Sequence, residues 1–267
     1  MLTICATPIG NLEDITLRVL TELREADLVL AEDTRHTRGL LERHAIKARL
    51  LSYHEHNEAA RVAELLPRIV ADERIALVSD AGLPGISDPG ARLVRAALDA
   101  GAAVTVLPGA SAVETALVAS GLVSERYAFV GFLPRRAAER AALWEELAGW
   151  RWPVVAFESP QRLGASLRSL AAVAPERDVV VCRELTKKFE EVVRGTASSL
   201  AARYAEPPKG EITIVLGPPP EPARPGEEKA TAAVAELIAA GTPRKVAVEV
   251  VSRLTDMARN DLYRGSL

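Results

Sequence analysis

Short apolar runs separated by helical repeats limit what this chain can fold into more than any other feature. LTICA (2–6), ADLVLA (26–31), RIALVS (74–79) and AAVTVL (102–107) are apolar at successive positions, as strands buried on both faces must be. Between them, Leu17, Leu20 and Leu23, and later Leu93, Val94, Ala97 and Leu98, recur at helical spacing. The alternation predicts an α/β fold with a mainly parallel sheet. A second series begins after Gly121: YAFVGF, the helical AAERAALWEELAGW, VVAFES, a helix through Leu163, Leu167 and Leu170, then DVVVCREL and EITIVLG. We therefore expect two α/β domains, residues 1–122 and 123–217. The stretch PPPEPARPGEEK is too rich in Pro and charge for regular packing and predicts a linker over 218–229. Residues 230–267 then form a small helical appendage.

A chain of 267 residues that is 48% hydrophobic has the core for one large domain or two ordinary ones. MLTICATPIG has no basic segment ahead of an apolar one, and no apolar run is long enough to span a bilayer. The expectation is a soluble cytoplasmic protein. Cys5 and Cys182 each sit inside a strand-like run, which suits small buried hydrophobes rather than a disulfide or metal framework. His54 and His56 lie two apart beside acids, but no third ligand at a familiar spacing follows, so no metal is expected. The net charge of −3 excludes a strong global attraction to nucleic acid. Locally, RHTRGLLERHAIKAR (35–49) sets Arg35, Arg38, Arg43, Lys47 and Arg49 against Glu42 alone, either a basic strip for RNA or a solvated helix face.

The chemistry of the first domain collects at strand ends. After LTICA comes Thr7-Pro8-Ile9-Gly10-Asn11, after RIALVS comes SDAGLPGISDPG (79–90), and after AAVTVL comes Pro108-Gly109-Ala110-Ser111. Carboxyl ends of parallel strands line the ligand crevice of such sheets, and Gly lets a ligand approach the backbone. The Gly85-x4-Gly90 spacing approaches a P-loop, but Ala91-Arg92 stand where that motif needs Lys and Ser or Thr, and no G-x-G-x-x-G occurs. The loops are thus either tight turns or a ligand site of another kind.

ATPIGNLEDITLR (6–18), AEDTRHTRGLL (31–41), SYHEHNE (52–58), VSDAGLPGISDPG (78–90), LPGASA (107–112), FESPQRL (157–163) and CRELTKKFEEVVRGT (182–196) resemble, in order and spacing, the bacterial 16S ribosomal RNA cytidine 2′-O-methyltransferases. These are a branch of the tetrapyrrole-methylase superfamily. The resemblance spans nearly the whole chain. It implies two α/β domains of the tetrapyrrole-methylase type with a cofactor cleft between them, S-adenosyl-L-methionine as cofactor, a homodimer, and as substrate a cytidine ribose in 16S rRNA within the small ribosomal subunit. It places Pro8, Gly10, Ala81, Gly82, Leu83, Pro84, Ile86, Ser87, Pro108, Gly109, Ala110 and Ser111 at the cofactor, with Glu158, Ser159 and Leu185 on the opposite wall. Leu83 departs from the family pattern, which has Thr there.

Methyl transfer from a sulfonium is an in-line displacement that brings the ribose oxygen to roughly 3 Å from the methyl carbon with water excluded. A 2′-hydroxyl is barely acidic at neutral pH, so a base, or a cation beside the developing alkoxide, is expected. Because all end strands or begin loops near the proposed cleft, we expect Lys187 and Glu184 at the reacting ribose, with Glu32, Asp33 and Arg35 positioning the nucleotide; the resemblance favours a functional role for Lys187. RNA phosphates fall to Arg35, Arg38, Arg43, His54, Arg135, Arg136 and Arg183. In the C-terminal stretch, Arg244, Lys245, Arg253, Arg259 and Arg264 sit on short helices, either a helix-turn-helix-like RNA grip or a capping module with a solvated face. Aromatic residues are only 4% of the chain, which favours recognition by shape and charge over base stacking. Two other readings fit the same cleft: a superfamily methylase acting on a small molecule or protein side chain, and a non-catalytic ribosome-assembly factor that binds the cofactor.

Overall fold

The computed structural model describes residues 1–219 and 226–265. It contains two compact units, Met1–Pro219 and Pro220–Leu267.

The first unit holds two five-stranded sheets. In its N-terminal half the elements are β1 (Leu2–Cys5), α1 (Leu17–Glu25), β2 (Leu28–Ala31), α2 (Thr34–Arg43), β3 (Leu50–Ser52), α3 (Glu58–Val70), β4 (Ile75–Val78), α4 (Ala91–Asp99), β5 (Val104–Leu107) and α5 (Ala112–Ser120). The order is β3-β2-β4-β1-β5, and every pairing is parallel. Side chains alternate faces along a strand. Leu28 and Leu30 therefore join a core with Leu65 and Leu93 of α3 and α4, while Val29 and Ala31 join one with Val19, Leu23 and Leu41 of α1 and α2. Removing each Leu, Ile or Val from water contributes roughly 1.5–3 kcal/mol, so apolarity on both faces fixes these strands in the interior. β3 is the addition to the expected strand set: LLS is too short and too half-buried to stand out.

The C-terminal half has β6 (Ala128–Phe132), α6 (Ala137–Leu147), β7 (Val154–Glu158), α7 (Pro160–Ala171), β8 (Asp178–Arg183), β9 (Glu191–Thr196), α8 (Ala197–Arg203) and β10 (Ile212–Leu216), in the order β6-β7-β10-β8-β9. Only β6 and β7 run parallel; β10 is antiparallel to both β7 and β8, and β9 to β8. This sheet is mixed, and β9 is the chain's second unforeseen strand. One face packs on α6, α7 and α8 through Trp144, Leu163, Leu167 and Leu200. The other meets the first half: Val155, Val180, Cys182 and Val215 share a core with Ile9 and with Val113, Ala116 and Leu117 of α5. This shared core fixes the two halves against each other. Both cysteines are buried, and burial pushes the Cys5 thiol up to about 12 and Cys182 up to about 11.

The second unit comprises α9 (Glu227–Ala239), α10 (Arg244–Thr255) and α11 (Arg259–Gly265), closed around Ala230, Val234, Ala247, Val248, Val251, Met257 and Leu262. The expected linker ran to residue 229. Residues 220–225 of it lie outside the described residues, and α9 already begins at Glu227, because EEKATAAVAELIA contains no Pro or Gly to stop a helix. Among the described residues no helix is long and apolar enough to cross a membrane.

Candidate active site

The carboxyl ends of β1, β4 and β5 turn into the three Pro/Gly loops, and these loops are tied together. Thr7 and Gly82 form an isolated antiparallel bridge, with Thr7 N–H donating to Gly82 O at 2.8 Å and Gly82 N–H to Thr7 O at 3.1 Å. The Thr7 hydroxyl donates to Ser79 O at 3.1 Å. Gly82 takes φ +77°, a left-handed conformation that costs glycine little.

On the opposite side, β6, β7 and β8 end where antiparallel β10 begins, so four chain segments of the second sheet reach one edge. The turn after β8 is unusual: Glu184 (φ +53°) and Thr186 (φ +65°) are both left-handed without being glycine, a conformation that persists only where surroundings enforce it. Here they do. Glu184 N–H donates to Glu211 O at 3.0 Å, Glu211 N–H donates to the Glu184 carboxylate at 2.9 Å, and Thr186 N–H donates to Glu190 Oε2 at 2.6 Å. The first half reaches across to this turn. Asn11 N–H donates to Thr186 Oγ1 at 3.0 Å, and a Cβ on Gly10 would stand 2.5 Å from Lys187 Cγ and 2.9 Å from Leu185 O.

Between these edges lies a cavity of about 450 Å³, a size ordinary for small-molecule sites. Its first wall is Ile9, Ala81, Gly82, Leu83, Ile86, Ser87 and Ser111 to Val113, with the carboxylates Glu32, Asp80 and Asp88. The second wall is Phe132, Phe157, Glu158, Ser159, Cys182, Leu185 and Gly210 to Thr213. Burial, then the Glu32 charge, pushes the Asp88 carboxyl up to about 6. Burial, then Asp80, likewise raises Glu32 above its ordinary range. Across the cavity Phe132 and Phe157 meet edge to face at 5.4 Å. Glu158 has no exposed side-chain surface; it is paired with Arg162 at 2.5 Å and accepts from Ser166 Oγ at 2.5 Å.

Nine of the expected cofactor residues line this cavity: Ala81, Gly82, Leu83, Ile86, Ser87, Ser111, Glu158, Ser159 and Leu185. The others support it from behind or face elsewhere. Gly10 packs on the Leu185–Lys187 turn and Gly109 against Ala6, Ala110 enters the core shared by the two halves, Pro84 is buried and Pro108 exposed, and Pro8 lines a second, smaller cavity.

The expected catalytic set divides. Glu32 lines the cavity. Lys187 and Glu184 do not line it; they stand beside Leu185 and Glu211, which do, with Lys187 Nζ 3.0 Å from both Glu184 Oε1 and Glu211 Oε2. Burial works against the lysine's charge, but the hydrogen bonds it donates to Glu184 and Glu211 outweigh it and hold Lys187 above the usual lysine range. Asp33 turns away to cap α2 through Arg35 N–H. Arg35 also donates to Asp33 through Nε and Nη2, which holds that carboxyl well below the usual range. Of the expected RNA cations, Arg38, Arg43, Arg135 and Arg136 are exposed, with Arg43 paired to Glu13 at 3.5 Å and Arg136 to Glu139 at 3.1 Å; Arg183 is paired with Glu191 at 3.0 Å. His54 is half-buried near Glu32. Asp80, Asp88, Phe132, Phe157 and Glu211 escaped the sequence reading; the two aspartates stood inside the chosen loop, and the two phenylalanines at the carboxyl ends of expected strands.

The profile of the Tetrapyrrole (Corrin/Porphyrin) Methylases matches residues 1–201. A protein of Halalkalibacterium halodurans named ribosomal RNA small subunit methyltransferase I is 41% identical, covering 98% of this chain and 93% of its own. The protein of that name from Synechocystis is 43% identical over 100% of this chain and 97% of its own. The one from Thermotoga maritima is 45% identical, with 97% of its length matched but only 80% of this chain. Among solved structures, uroporphyrin-III-C-methyltransferase from Thermus thermophilus superposes with a TM-score of 0.60 at 22% identity, over 81% of this chain and 93% of that one. Diphthine synthase gives 0.62 at 18%, over 81% and 89%. The loop-built cavity between two α/β halves thus belongs to a fold shared with these enzymes, and the chain is a member of the ribosomal RNA small subunit methyltransferase I family, within the tetrapyrrole methylases.

Proposed function

We propose that the protein transfers a methyl group from S-adenosylmethionine to the ribose 2′-hydroxyl of a cytidine in the decoding region of 16S rRNA. It does so in the cytoplasm, as a homodimer, on the assembled small subunit. The observation that carries this reading is the identity above 40% to proteins named ribosomal RNA small subunit methyltransferase I over nearly the full length of both chains. The homodimer, the decoding-region cytidine and the assembled subunit follow from the motif resemblance.

The cavity suits S-adenosylmethionine on its own chemistry. Glu32, Asp80 and Asp88 crowd three carboxylates onto one wall, and the upward shifts of Glu32 and Asp88 reflect their burial and mutual repulsion. A ligand carrying a sulfonium and an ammonium relieves that repulsion. Phe132 and Phe157 add ring surface that attracts cations, and Ile9, Leu83 and Val113 offer apolar contact for a purine. When bound, the cofactor supplies an electrophilic methyl group. Glu32 is the residue placed to accept the 2′-hydroxyl proton on a carboxylate oxygen, since it lines the cavity and its proton affinity is shifted toward neutrality. Lys187, held charged by two carboxylates, is unsuited to take a proton; it orients and stabilises the anionic oxygen from its place beside Leu185 and Glu211. Leu185, which is buried, excludes water.

The test uses small subunits from cells lacking the gene, incubated with the purified protein and methyl-labelled S-adenosylmethionine. Nuclease digestion and mass spectrometry should find one new 2′-O-methylcytidine in the decoding region. Cofactor binding without transfer to subunits or naked rRNA would overturn the reading in favour of a small-molecule methylase or a non-catalytic factor.

A further inference from the structure

The loop between β4 and α4 lines the large cavity with Ile86, Ser87 and Asp88, and it turns back on itself at two glycines, Gly85 (φ +86°) and Gly90 (φ +138°). A Cβ on Gly90 would stand 3.4 Å from Gly85 N and 2.8 Å from Leu77 Cδ2. The two ends of the turn therefore touch each other and rest on β4. Between them Ser87 takes φ +60° without being glycine, a conformation that its surroundings must hold.

Glu58 holds the far end of that turn. It is the first residue of α3, and its side chain is 16% exposed. Its Oε1 accepts both Gly90 N–H at 3.1 Å and Tyr53 OH at 2.9 Å, and its Oε2 stands 3.7 Å from Arg92 Nε. Tyr53 is fully buried, so its hydroxyl needs a partner and fixes the carboxylate in place. Gly90 is the N-cap of α4 and brings no side chain to cap it; a carboxylate there also meets the positive end of the helix dipole. The last residue of the SYHEHNE segment thus reaches the last residue of VSDAGLPGISDPG.

We infer that Glu58 is a positioning residue for the cofactor: through Gly90 N–H it keeps residues 85–90 in the conformation that sets Ile86, Ser87 and Asp88 on the cavity wall. The inference rests on the placing of S-adenosylmethionine in this cavity and is independent of the RNA substrate. Glu58 lines neither cavity, so it acts on cofactor binding and not on the transfer step. Without the bond the loop spends part of its time elsewhere, and apparent affinity falls with the fraction of time the wall is formed.

The test measures S-adenosylhomocysteine affinity by calorimetry, well below the lowest Tm of the variants compared. Glu58→Ala removes the acceptor, and Glu58→Asp keeps the charge but draws the carboxylate back by one methylene; each should weaken binding about tenfold with the stoichiometry of wild type. Glu58→Gln keeps an acceptor at the original reach and should stay within about threefold. Arg68→Ala, which breaks an ion pair to Glu73 at the other end of α3, should lower Tm and leave affinity alone, since a protein that is only less stable loses competent sites and not affinity per site. In transfer assays Glu58→Ala should raise KM for S-adenosylmethionine about tenfold while kcat at saturation stays within about twofold. Unchanged affinity in Glu58→Asp, or a loss in Glu58→Gln as large as in Glu58→Ala, overturns the clamp alone. Ser111→Trp sets a bulky side chain on the cavity wall and should abolish binding; wild-type affinity in that variant overturns the placing of the cofactor and the clamp with it.

Discussion

Lys187 sits between Glu184 and Glu211 at 3.0 Å from each, and Glu32 sits beside Asp80 and Asp88 on the cavity wall. These neighbours give a lysine that stays charged and a glutamate that takes up protons readily. Replacing them should therefore produce different kinetics. Glu32→Gln should lower kcat about 10²-fold or more and remove the acid limb of the kcat/KM–pH profile, which reports the free enzyme and in the wild type lies above the ordinary glutamate range. Lys187→Met should lower the rate while leaving that limb in place. A loss of the limb in the lysine variant instead would reverse the two roles. Asp88 offers a separate check by stability. Its carboxyl is raised from 3.8 to about 6, so the folded state holds its proton more tightly than the unfolded chain. The cost of ionising it is absent below the lower value and complete above the higher one. Asp88→Asn should thus stabilise the protein at pH 8, on the order of 1–2 kcal/mol after solvent screening, with no gain at pH 3.5. Chemical denaturation at the two pH values measures this.

At the scale of elements, the site depends on a contact between two loops from different halves. A Cβ on Gly10 would meet Leu185 O at 2.9 Å, a backbone atom, as well as Thr186 Oγ1 at 2.7 Å. Gly10→Ala should force the loops apart, cost about 1–3 kcal/mol, lower Tm by several degrees and weaken binding of S-adenosylhomocysteine in calorimetry. The importance of Gly10 was legible in its motif, but the reason for it was not, because Thr186 lies in the other half. The same division holds for the fold. β1, β2, β4 and β5 were plain in the sequence because both faces are apolar, whereas β3 has only Leu50–Ser52 and β9 is a half-buried edge strand written EVVRGT. That β10 would insert antiparallel between β7 and β8 left no trace in local periodicity. Its consequence is large, since register places Ile212 opposite Arg183 and so brings Glu211 to Lys187. The Pro/Gly loops marked the cavity from sequence; its second wall, and the partners that set each charge, exist only once the sheets have stacked.

At the scale of the whole molecule, the chain joins a methylase body to a three-helix unit with its own core of Ala230, Val234, Ala247, Val251 and Leu262. The Thermotoga maritima relative bears on how separable these are. Nearly all of it, 97%, aligns, yet it accounts for only 80% of this chain, leaving unmatched about as much as the helical unit contains. Both cavities draw their walls from residues 7–213. A chain ending at Pro219 should therefore fold, bind S-adenosylhomocysteine with wild-type affinity and keep kcat within about twofold. The exposed cations Lys245, Arg253 and Arg259 should make their difference in KM. Every RNA phosphate that the helical unit neutralises steepens the salt dependence of RNA affinity by about one in the log–log slope, so the truncated enzyme should bind small subunits more weakly and with a shallower slope than the full chain. Filter binding across a range of salt concentrations, beside steady-state kinetics, reads both quantities. Equal KM and equal slope would make the unit a bystander to RNA binding, and a fall in kcat would mean that the helical unit shapes the site itself.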